Sequence, residues 1–147
     1  LDTSGAGLIS GIDGLPTMIK PNLDEIEMIL GYRPKNQNEV VSAAKKLHAR
    51  GIQEVVISLG SRGALLCTDD GIFYGTPPHV EVVNPVGSGD TMVGAFAVAL
   101  ARGLNSTEQL RFAIACATAN CTTTTTGHFD FSFAKELVER TKIKRIE

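Results

Sequence analysis

Hydrophobic and polar residues follow two alternating periods along this chain, and these periods predict strands and helices in turn. Residues 17–20 form a short strand candidate that ends at Pro21. Residues 22–30 and 38–50 carry apolar side chains every three or four positions, as amphipathic helices do, and a glycine follows each segment. Residues 54–60 contain a continuous β-branched run, which is typical of a strand covered on both faces in a parallel sheet.

The next part of the chain has shorter apolar segments that are separated by turn-forming residues. Strands are predicted at residues 64–67, 72–74 and 80–83, and the Asp, Gly and Pro residues between them indicate an antiparallel meander. Three helices with start or stop signals are then predicted, from Gly89 to Gly103, from a capping box at residues 106–109, and from about Asp130 to Arg140.

Together these segments predict an α/β fold with three layers, helix–sheet–helix, and a mostly parallel sheet with a short antiparallel meander. A length of 147 residues suits one domain with one hydrophobic core. Helical spacing predicts four apolar faces: Leu23, Ile26 and Leu30; Val40, Ala44 and Leu47; Val93, Phe96, Ala97 and Leu100; and Leu110, Ala113, Ile114, Ala117 and Cys121. Residues 1–5 are typical of a buried strand that ends in a turn, so we expect the chain to continue a longer protein.

Composition and charge exclude several classes of protein. A formal charge of −2, from 14 basic and 16 acidic residues, is too small to attract a polyanion, so we expect no nucleic-acid or membrane partner. No apolar run is long enough for a bilayer, and the first residues do not resemble a signal peptide. The cysteines, Cys67, Cys116 and Cys121, lack C-x-x-C spacing. They are interpreted as small core residues in a reducing compartment, which predicts a cytoplasmic protein.

The turn N-P-V-G-S-G-D at residues 84–90 carries the chemistry. A strand is predicted before it and an apolar helix after it, so the backbone N–H groups of Gly87, Ser88 and Gly89 are predicted to hold an anion at a helix N-terminus. No Lys-Ser/Thr pair follows, so the turn is not a P-loop. Asp90 has two interpretations of equal weight. Its carboxylate takes a proton from an alcohol that attacks a bound phosphoryl group, or it only complements the helix dipole, worth ~0.3–1 kcal/mol.

Residues 84–97 resemble the second signature of the ribokinase-like (PfkB) carbohydrate kinases at every constrained position. The resemblance implies that Asp90 is the catalytic base and that Gly87, Ser88 and Gly89 form the anion hole. It also implies a Rossmann-like ribokinase fold. Many relatives have Asp where Asn84 stands, and in some of them that Asp helps to hold a monovalent cation. The neutral Asn84 weakens the case for potassium here.

Residues 20–25, K-P-N-L-D-E, resemble a second segment of the family. The resemblance implies that Lys20 and Asn22 take part in binding the nucleotide. It further implies that Asn22 and Glu25 organise Mg²⁺, largely through water. The same two residues also have the spacing of an ordinary capping box, and both roles can hold at once.

Residues 58–63 resemble the strand-end turn on which the family binds ATP, although a tight hairpin explains the same G-x-x-G spacing. The resemblance assigns nucleotide contacts here to Ser58, Gly60, Ser61, Arg62 and Gly63. It also places Asn120 near the adenine. The threonine run at residues 122–126 has two interpretations: it lines the pocket for the adenine, or it is a frayed helix end. The second interpretation is favoured, because adjacent β-branched residues are unusual in a helix.

The resemblance covers the whole chain but only the C-terminal half of the family, so the sugar-binding half and its lid are expected to be absent. The D-x-S-G segment at residues 2–5 is similar to the branch of 1-phosphofructokinases and tagatose-6-phosphate kinases. This implies ATP-dependent phosphorylation of fructose 1-phosphate or tagatose 6-phosphate, with Mg²⁺, by a homodimer in the full-length protein. The alternatives are a kinase of an unphosphorylated sugar or nucleoside, and a non-catalytic nucleotide-binding fragment.

Overall fold

The computed structural model describes all residues, Leu1–Glu147, as six α-helices, five strands and one short 3₁₀ helix. The helices are α1 (Gly5–Ile12), α2 (Leu23–Leu30), α3 (Gln37–His48), α4 (Ser88–Ala101), α5 (Ser106–Cys121) and α6 (Phe131–Arg140). The strands are β1 (Met18–Ile19), β2 (Glu54–Ser58), β3 (Ala64–Thr68), β4 (Gly71–Thr76) and β5 (Lys142–Arg145), and the 3₁₀ helix is Gly60–Arg62. None of the helices combines the length and the hydropathy that crossing a bilayer requires.

The strands form one sheet in the order β1-β2-β3-β4-β5, and this confirms the α/β class. Strand β1 is parallel to β2, with Met18 opposite Glu54, whereas β2 and β3 are antiparallel, with Val55 opposite Cys67. The prediction of a mostly parallel sheet is wrong, because most of the sheet is antiparallel. The short connections explain this difference: two-residue and five-residue turns join antiparallel neighbours, whereas parallel neighbours need a long crossover.

The predicted strand at residues 80–83 is absent from the structure. Val82 and Val83 are 59% and 54% exposed, and the Val83 N–H donates to the Cys121 carbonyl at the end of α5, at 2.8 Å. The sequence of residues 80–83 has the pattern of a strand, but no other strand lies beside this segment to form backbone hydrogen bonds with it. Helix α1 was missed because three of its eight residues are glycine, which has low helix propensity.

Residue contacts divide the chain into two compact units, each with its own buried residues. The first unit contains Leu1–Gly60, Ala64–Tyr74 and Arg145–Glu147. Its core includes the predicted face of α3 and the buried run of β2: Val40, Ala44, Leu47, Val55, Val56 and Ile57. The long apolar run of β2 is therefore explained by burial of the strand.

The second unit contains Ser61–Gly63 and Gly75–Lys144, and in it α5 packs against both α4 and α6. The predicted face of α5 is confirmed, with Leu110, Ala113, Ile114 and Ala117 buried and Cys121 partly buried. The predicted face of α4 is only partly correct: Phe96 is buried, but Ala97 and Leu100 are exposed, and Met92, Ala95 and Ala99 are buried instead. Helix α4 is apolar on nearly every side, so spacing alone did not select its inner face.

The capping box of α5 lies one residue before its predicted position. Asn105 is the N-cap, its side chain accepts from the Glu108 N–H at 3.0 Å, and Glu108 Oε2 accepts from the Asn105 N–H at 3.0 Å. Asn caps a helix at least as well as Ser, and here it has the acidic partner three residues later that a capping box needs.

Two of the cysteines are core residues, as the sequence indicated. Cys67 and Cys116 are buried and free, and Cys121 is partly buried and free. Desolvation by burial raises the pKa of the Cys67 and Cys116 thiols to about 11. Both thiols are therefore protonated and unreactive at neutral pH.

We expect Glu54→Gln to raise the free energy of unfolding at pH 7 and to have little effect near pH 4. Glu54 opens β2, its Oε2 is buried without a hydrogen-bond partner, and desolvation raises the pKa of its carboxyl group. The ionised form is therefore disfavoured in the folded state. That penalty is fully present above the folded-state pKa and disappears below the unfolded-state value of about 4.3.

Urea denaturation at both pH values measures this difference, with Glu139→Gln on an exposed position of α6 as the control. A loss of stability in Glu54→Gln at pH 7 would contradict the explanation.

Candidate active site

The turn before α4 presents a helix N-terminus that no side chain caps. Gly87 is the N-cap residue, with φ +78°, a left-handed conformation that glycine adopts more easily than any other residue. Four other helices are capped by their own side chains, which are Asn22, Asn36, Asn105 and Asp130. The first N–H groups of a helix have no partner within it, and the helix dipole makes this end positive, so the N-terminus of α4 suits an anion.

Hydrogen bonds inside the turn fix part of its backbone. The Ser88 N–H donates to the Pro85 carbonyl at 3.3 Å, so one of the three predicted anion-hole amides has a partner within the turn. That distance is beyond the usual range for such a bond, so the bond is weak. The Thr91 N–H and Oγ1 donate to the Gly87 carbonyl at 2.9 and 2.8 Å, which ties that carbonyl to the first turn of α4.

Asp90 is the third residue of α4, and it is exposed. A substrate hydroxyl can therefore reach its carboxylate without any rearrangement of the core. The same position lies in the first turn of the helix, where an acidic side chain also interacts favourably with the dipole. The position of Asp90 therefore suits both a general base and a partner of the helix dipole.

In the first unit, the predicted phosphate and nucleotide segments begin at neighbouring strand ends. Strands β1 and β2 run parallel, and beyond their paired residues the Ser58 N–H donates to the Pro21 carbonyl at 3.0 Å. Residues 20–25 and Ser58 therefore lie at the carboxyl ends of two adjacent strands. This is the edge at which open α/β sheets bind ligands.

Lys20 and Asn22 both have partners within the first unit. The Lys20 side chain is only 9% exposed, and its Nζ lies 3.6 Å from Asp2 Oδ1. The Asn22 side chain accepts from the Glu25 N–H at 2.9 Å, and Glu25 Oε2 accepts from the Asn22 N–H at 2.8 Å. The capping box that the spacing of Asn22 and Glu25 allowed is therefore present.

The oxygen donors of Asn22 and Glu25 fit Mg²⁺ only in part. Both are hard oxygen ligands, and each retains lone pairs beyond those used in the capping box. No group of three or more His, Cys, Asp or Glu residues could hold a metal ion in this structure. The donor set therefore suits an ion whose other ligands are water and phosphate oxygens, which is the usual situation of Mg²⁺.

The two glycines of the predicted nucleotide turn differ in their surroundings. Gly63 has φ +100°, and a Cβ built on it would lie 1.9 Å from the Gly75 carbonyl oxygen. Close packing of two backbone segments therefore accounts for Gly63 without a nucleotide. Gly60 has φ +61° and open space around it, and with Ser61 and Arg62 it forms the 3₁₀ turn.

Asn120 is buried, and both polar atoms of its side chain have partners within the chain. It is 1% exposed, its Nδ2 donates to the Val86 carbonyl at 3.0 Å, and its Oδ1 accepts from the Gly127 N–H at 2.7 Å. Both polar atoms are therefore engaged and buried, and the place of Asn120 near the adenine stays a prediction. Sequence reasoning missed these bonds, although a polar residue on the apolar face of α5 was a signal that buried partners exist.

The threonine run lies beyond the end of α5, as the frayed-end interpretation predicted. The hydroxyl groups of Thr122 and Thr123 donate to the carbonyls of Ala119 and Asn120, at 2.8 and 3.1 Å. These bonds satisfy carbonyls that the last helical turn leaves without partners. The run therefore ends the helix, and its β-branched residues lie outside the regular helical part.

Comparison with known proteins gives three kinds of similarity. The model of the pfkB family carbohydrate kinases matches residues 1–131. The 1-phosphofructokinase of Haemophilus influenzae is 35% identical over 148 aligned positions, which cover 100% of this chain and 47% of that protein. The chain therefore spans about half the length of the curated relatives it matches.

Solved structures agree in fold over nearly the whole chain. Phosphofructokinase-2 from Escherichia coli in complex with potassium has a TM-score of 0.89 and 28% identity, covering 95% of this chain and 46% of that one. Ribokinase from Arabidopsis thaliana, complexed with ribose and ATP, has a TM-score of 0.81 and 27% identity, with the same two coverages of 95% and 46%.

Proposed function

The chain belongs to the pfkB family of carbohydrate kinases, and on that premise we propose that it carries the phosphoryl-transfer residues of an ATP-dependent sugar-phosphate kinase. One observation carries the proposal: a G-S-G turn opens an uncapped, positive helix end with an exposed carboxylate, Asp90, in its first turn. An anion site beside a general base is the combination that phosphoryl transfer to an alcohol requires.

In the proposed reaction Asp90 accepts the proton of the acceptor hydroxyl. The hydroxyl oxygen forms a bond to the γ-phosphorus, the bond from that phosphorus to the bridging oxygen breaks, and ADP leaves. The N–H groups of Gly87, Ser88 and Gly89 stabilise the charge that develops on the transferring phosphoryl oxygens. Removal of one preorganised donor of this kind raises a barrier by ~3–4 kcal/mol. The Ser88 N–H contributes after it leaves its weak bond to the Pro85 carbonyl and donates to a phosphoryl oxygen instead.

The roles proposed for Lys20, Asn22 and Glu25 of the first unit come from the sequence. In this proposal Asn22 and Glu25 would hold Mg²⁺ through water, and the bound ion would supply positive charge beside the phosphates. Lys20, held by Asp2, adds a cation beside the phosphates. The contacts proposed for ATP on the strand-end turn remain those named from the sequence: Ser58, Gly60, Ser61, Arg62 and Gly63.

The acceptor that we propose is a phosphorylated ketohexose, fructose 1-phosphate or tagatose 6-phosphate. The Haemophilus influenzae relative is named 1-phosphofructokinase, and this supports a phosphorylated acceptor. The Arabidopsis thaliana neighbour is a ribokinase complexed with ribose, so an unphosphorylated sugar is the second candidate acceptor. Three free cysteines are compatible with the cytoplasmic location that we infer. The homodimer remains a prediction for the full-length protein.

The experiment is a coupled assay of ADP release by the purified gene product that contains this chain. Fructose 1-phosphate and tagatose 6-phosphate are compared with fructose and ribose, with and without Mg²⁺. We expect ADP release that depends on Mg²⁺ and on a sugar phosphate. We also expect the 147-residue chain alone to bind ATP without turnover, since an unheld acceptor loses an effective molarity of ~10⁵ M or more.

One result would contradict the proposal, and another would contradict the expectation for the 147-residue chain alone. Nucleotide binding by the gene product without sugar-dependent ADP release would favour a binding module instead of a kinase. Robust turnover by the 147-residue chain alone would show that the acceptor site lies within these residues.

A further inference from the structure

Asn120 is a buried polar side chain in an apolar stretch of α5, next to buried Ala119. Removal of an amide from water is unfavourable unless its donor and acceptor sides both find partners. Here Nδ2 donates to the Val86 carbonyl at 3.0 Å, and Oδ1 accepts from the Gly127 N–H at 2.7 Å. Because one partner is an acceptor and the other a donor, only one orientation of the amide satisfies both.

The bond from Asn120 reaches the peptide that leads into the anion-hole turn. Val86 directly precedes Gly87, and the chain contains no cis peptide bond. In a planar trans peptide the Val86 carbonyl and the Gly87 N–H point in opposite directions. A donor that fixes the carbonyl therefore also fixes the direction of the N–H, so Asn120 orients the first amide of the proposed anion hole.

Two other side chains, those of Thr126 and Asn84, also form hydrogen bonds with the backbone of Val86. Thr126 Oγ1 donates to the Val86 carbonyl at 3.3 Å. Asn84 Oδ1 accepts from the Val86 N–H at 3.0 Å, and its Nδ2 donates to the Thr124 carbonyl at 3.2 Å. Asn120 makes the shorter of the two bonds to the carbonyl, and it is the most deeply buried of the three side chains. Its bond is therefore the best shielded from competition with water.

We propose that Asn120 is a positioning residue for phosphoryl transfer, which holds the Val86–Gly87 peptide so that the Gly87 N–H faces the transferring phosphoryl group. This inference rests on the proposed function. Preorganised donors stabilise the transition state more than the ground state, because charge develops on the phosphoryl oxygens only as the reaction proceeds. A loss of orientation therefore lowers kcat more than it raises the KM for ATP.

Two substitutions test the role in the gene product. Asn120→Asp replaces the donor with an oxygen that repels the Val86 carbonyl, and Asn120→Ser is too short to reach it. We expect kcat to fall about 10–100-fold in both variants, with the KM for ATP within about threefold of the unsubstituted value. Affinity for ADP with aluminium fluoride, a mimic of the transition state, is expected to fall in parallel with kcat.

Thr118→Val is the matched control on the same helix. Thr118 is also buried, but its hydroxyl donates to the Ile114 carbonyl within α5, at 2.7 Å, so the variant is expected to keep its kcat. An equal loss of kcat in Thr118→Val would show a general effect of disturbing α5 and would overturn the inference.

The kinetics of the Asp90 and Asn120 variants together test this inference independently of the proposed function. If turnover needs Asp90 and folded Asn120 variants keep kcat within threefold of the unsubstituted protein, the inference fails and the proposed function stands. A gene product without kinase activity overturns both.

A measurement on the unsubstituted protein decides the case in which neither Asn120 variant folds. The side-chain amide protons of Asn120 are expected to exchange slowly with solvent and to shift in the NMR spectrum when ADP with aluminium fluoride binds. Exchange at the rate of an exposed asparagine, or no shift on binding, would overturn the inference.

Discussion

Asp90→Asn is expected to lower the kcat of the gene product by ~10²–10⁴-fold, the range for loss of a general base, with the KM for ATP little changed. Asparagine has nearly the shape of aspartate but cannot take the proton of an attacking hydroxyl. Asp90 is exposed at the start of α4, so the substitution opens no cavity in the core. Steady-state kinetics with saturating ATP measure kcat, and circular dichroism confirms that the variant folds.

Glu108→Gln is the matched control for the alternative role of Asp90. Glu108 occupies the third position of α5, as Asp90 does in α4, and no anion site is proposed at that helix end. Glu108 also accepts the Asn105 N–H in the capping box, and the side-chain oxygen of glutamine can keep that bond. If Asp90 serves only the dipole, both substitutions lower stability by ~0.3–1 kcal/mol and neither changes kcat. Near-normal turnover in folded Asp90→Asn would therefore remove the base from the mechanism and leave the dipole interpretation.

The helix caps were accessible from the sequence because their two partners lie three residues apart. The pairs Asn22–Glu25 and Asn105–Glu108 both form such boxes, and the second was misplaced by a single residue. Helical spacing likewise identified the inner faces of α3 and α5. It did not identify the face of α4, since nearly every side of that helix is apolar and packing decides which side is buried.

The parts that escaped prediction depend on partners that are distant in the sequence. Residues 80–83 have the pattern of a strand, but a strand also needs a neighbour, and no local pattern states whether one exists. In the same way, the bonds from Asn120 and Thr126 to Val86 join residues that are 34 and 40 positions apart. The motif therefore located the turn that we propose as the anion hole, while the contacts that hold this turn became visible only in the folded chain.

Gly87→Ala is expected to lower kcat by ~10²–10³-fold, comparable to the loss of an anion-hole donor, and to reduce stability by ~1–3 kcal/mol. Gly87 has φ +78°, where a Cβ is strained, and that Cβ would lie only 2.0 Å from Thr126 Cγ2. Either the Thr126 side chain or the turn must move to relieve this overlap, and a shift of the turn displaces the Gly87 and Ser88 N–H groups. Gly94→Ala, in the same helix with open space around its Cβ, is the control, and it should keep its turnover and gain up to ~1 kcal/mol of stability.

A double substitution separates the two causes of the expected loss in Gly87→Ala. Thr126→Ser removes the Cγ2 methyl group but keeps the hydroxyl that bonds to the Val86 carbonyl. In Gly87→Ala/Thr126→Ser the overlap is therefore relieved, whereas the left-handed strain of ~1–2 kcal/mol remains. We expect the double variant to recover most of the lost kcat and only part of the lost stability. If kcat stays as low as in Gly87→Ala alone, the Thr126 side chain is not what displaces the turn, and the backbone conformation of Gly87 itself sets the geometry of the anion hole.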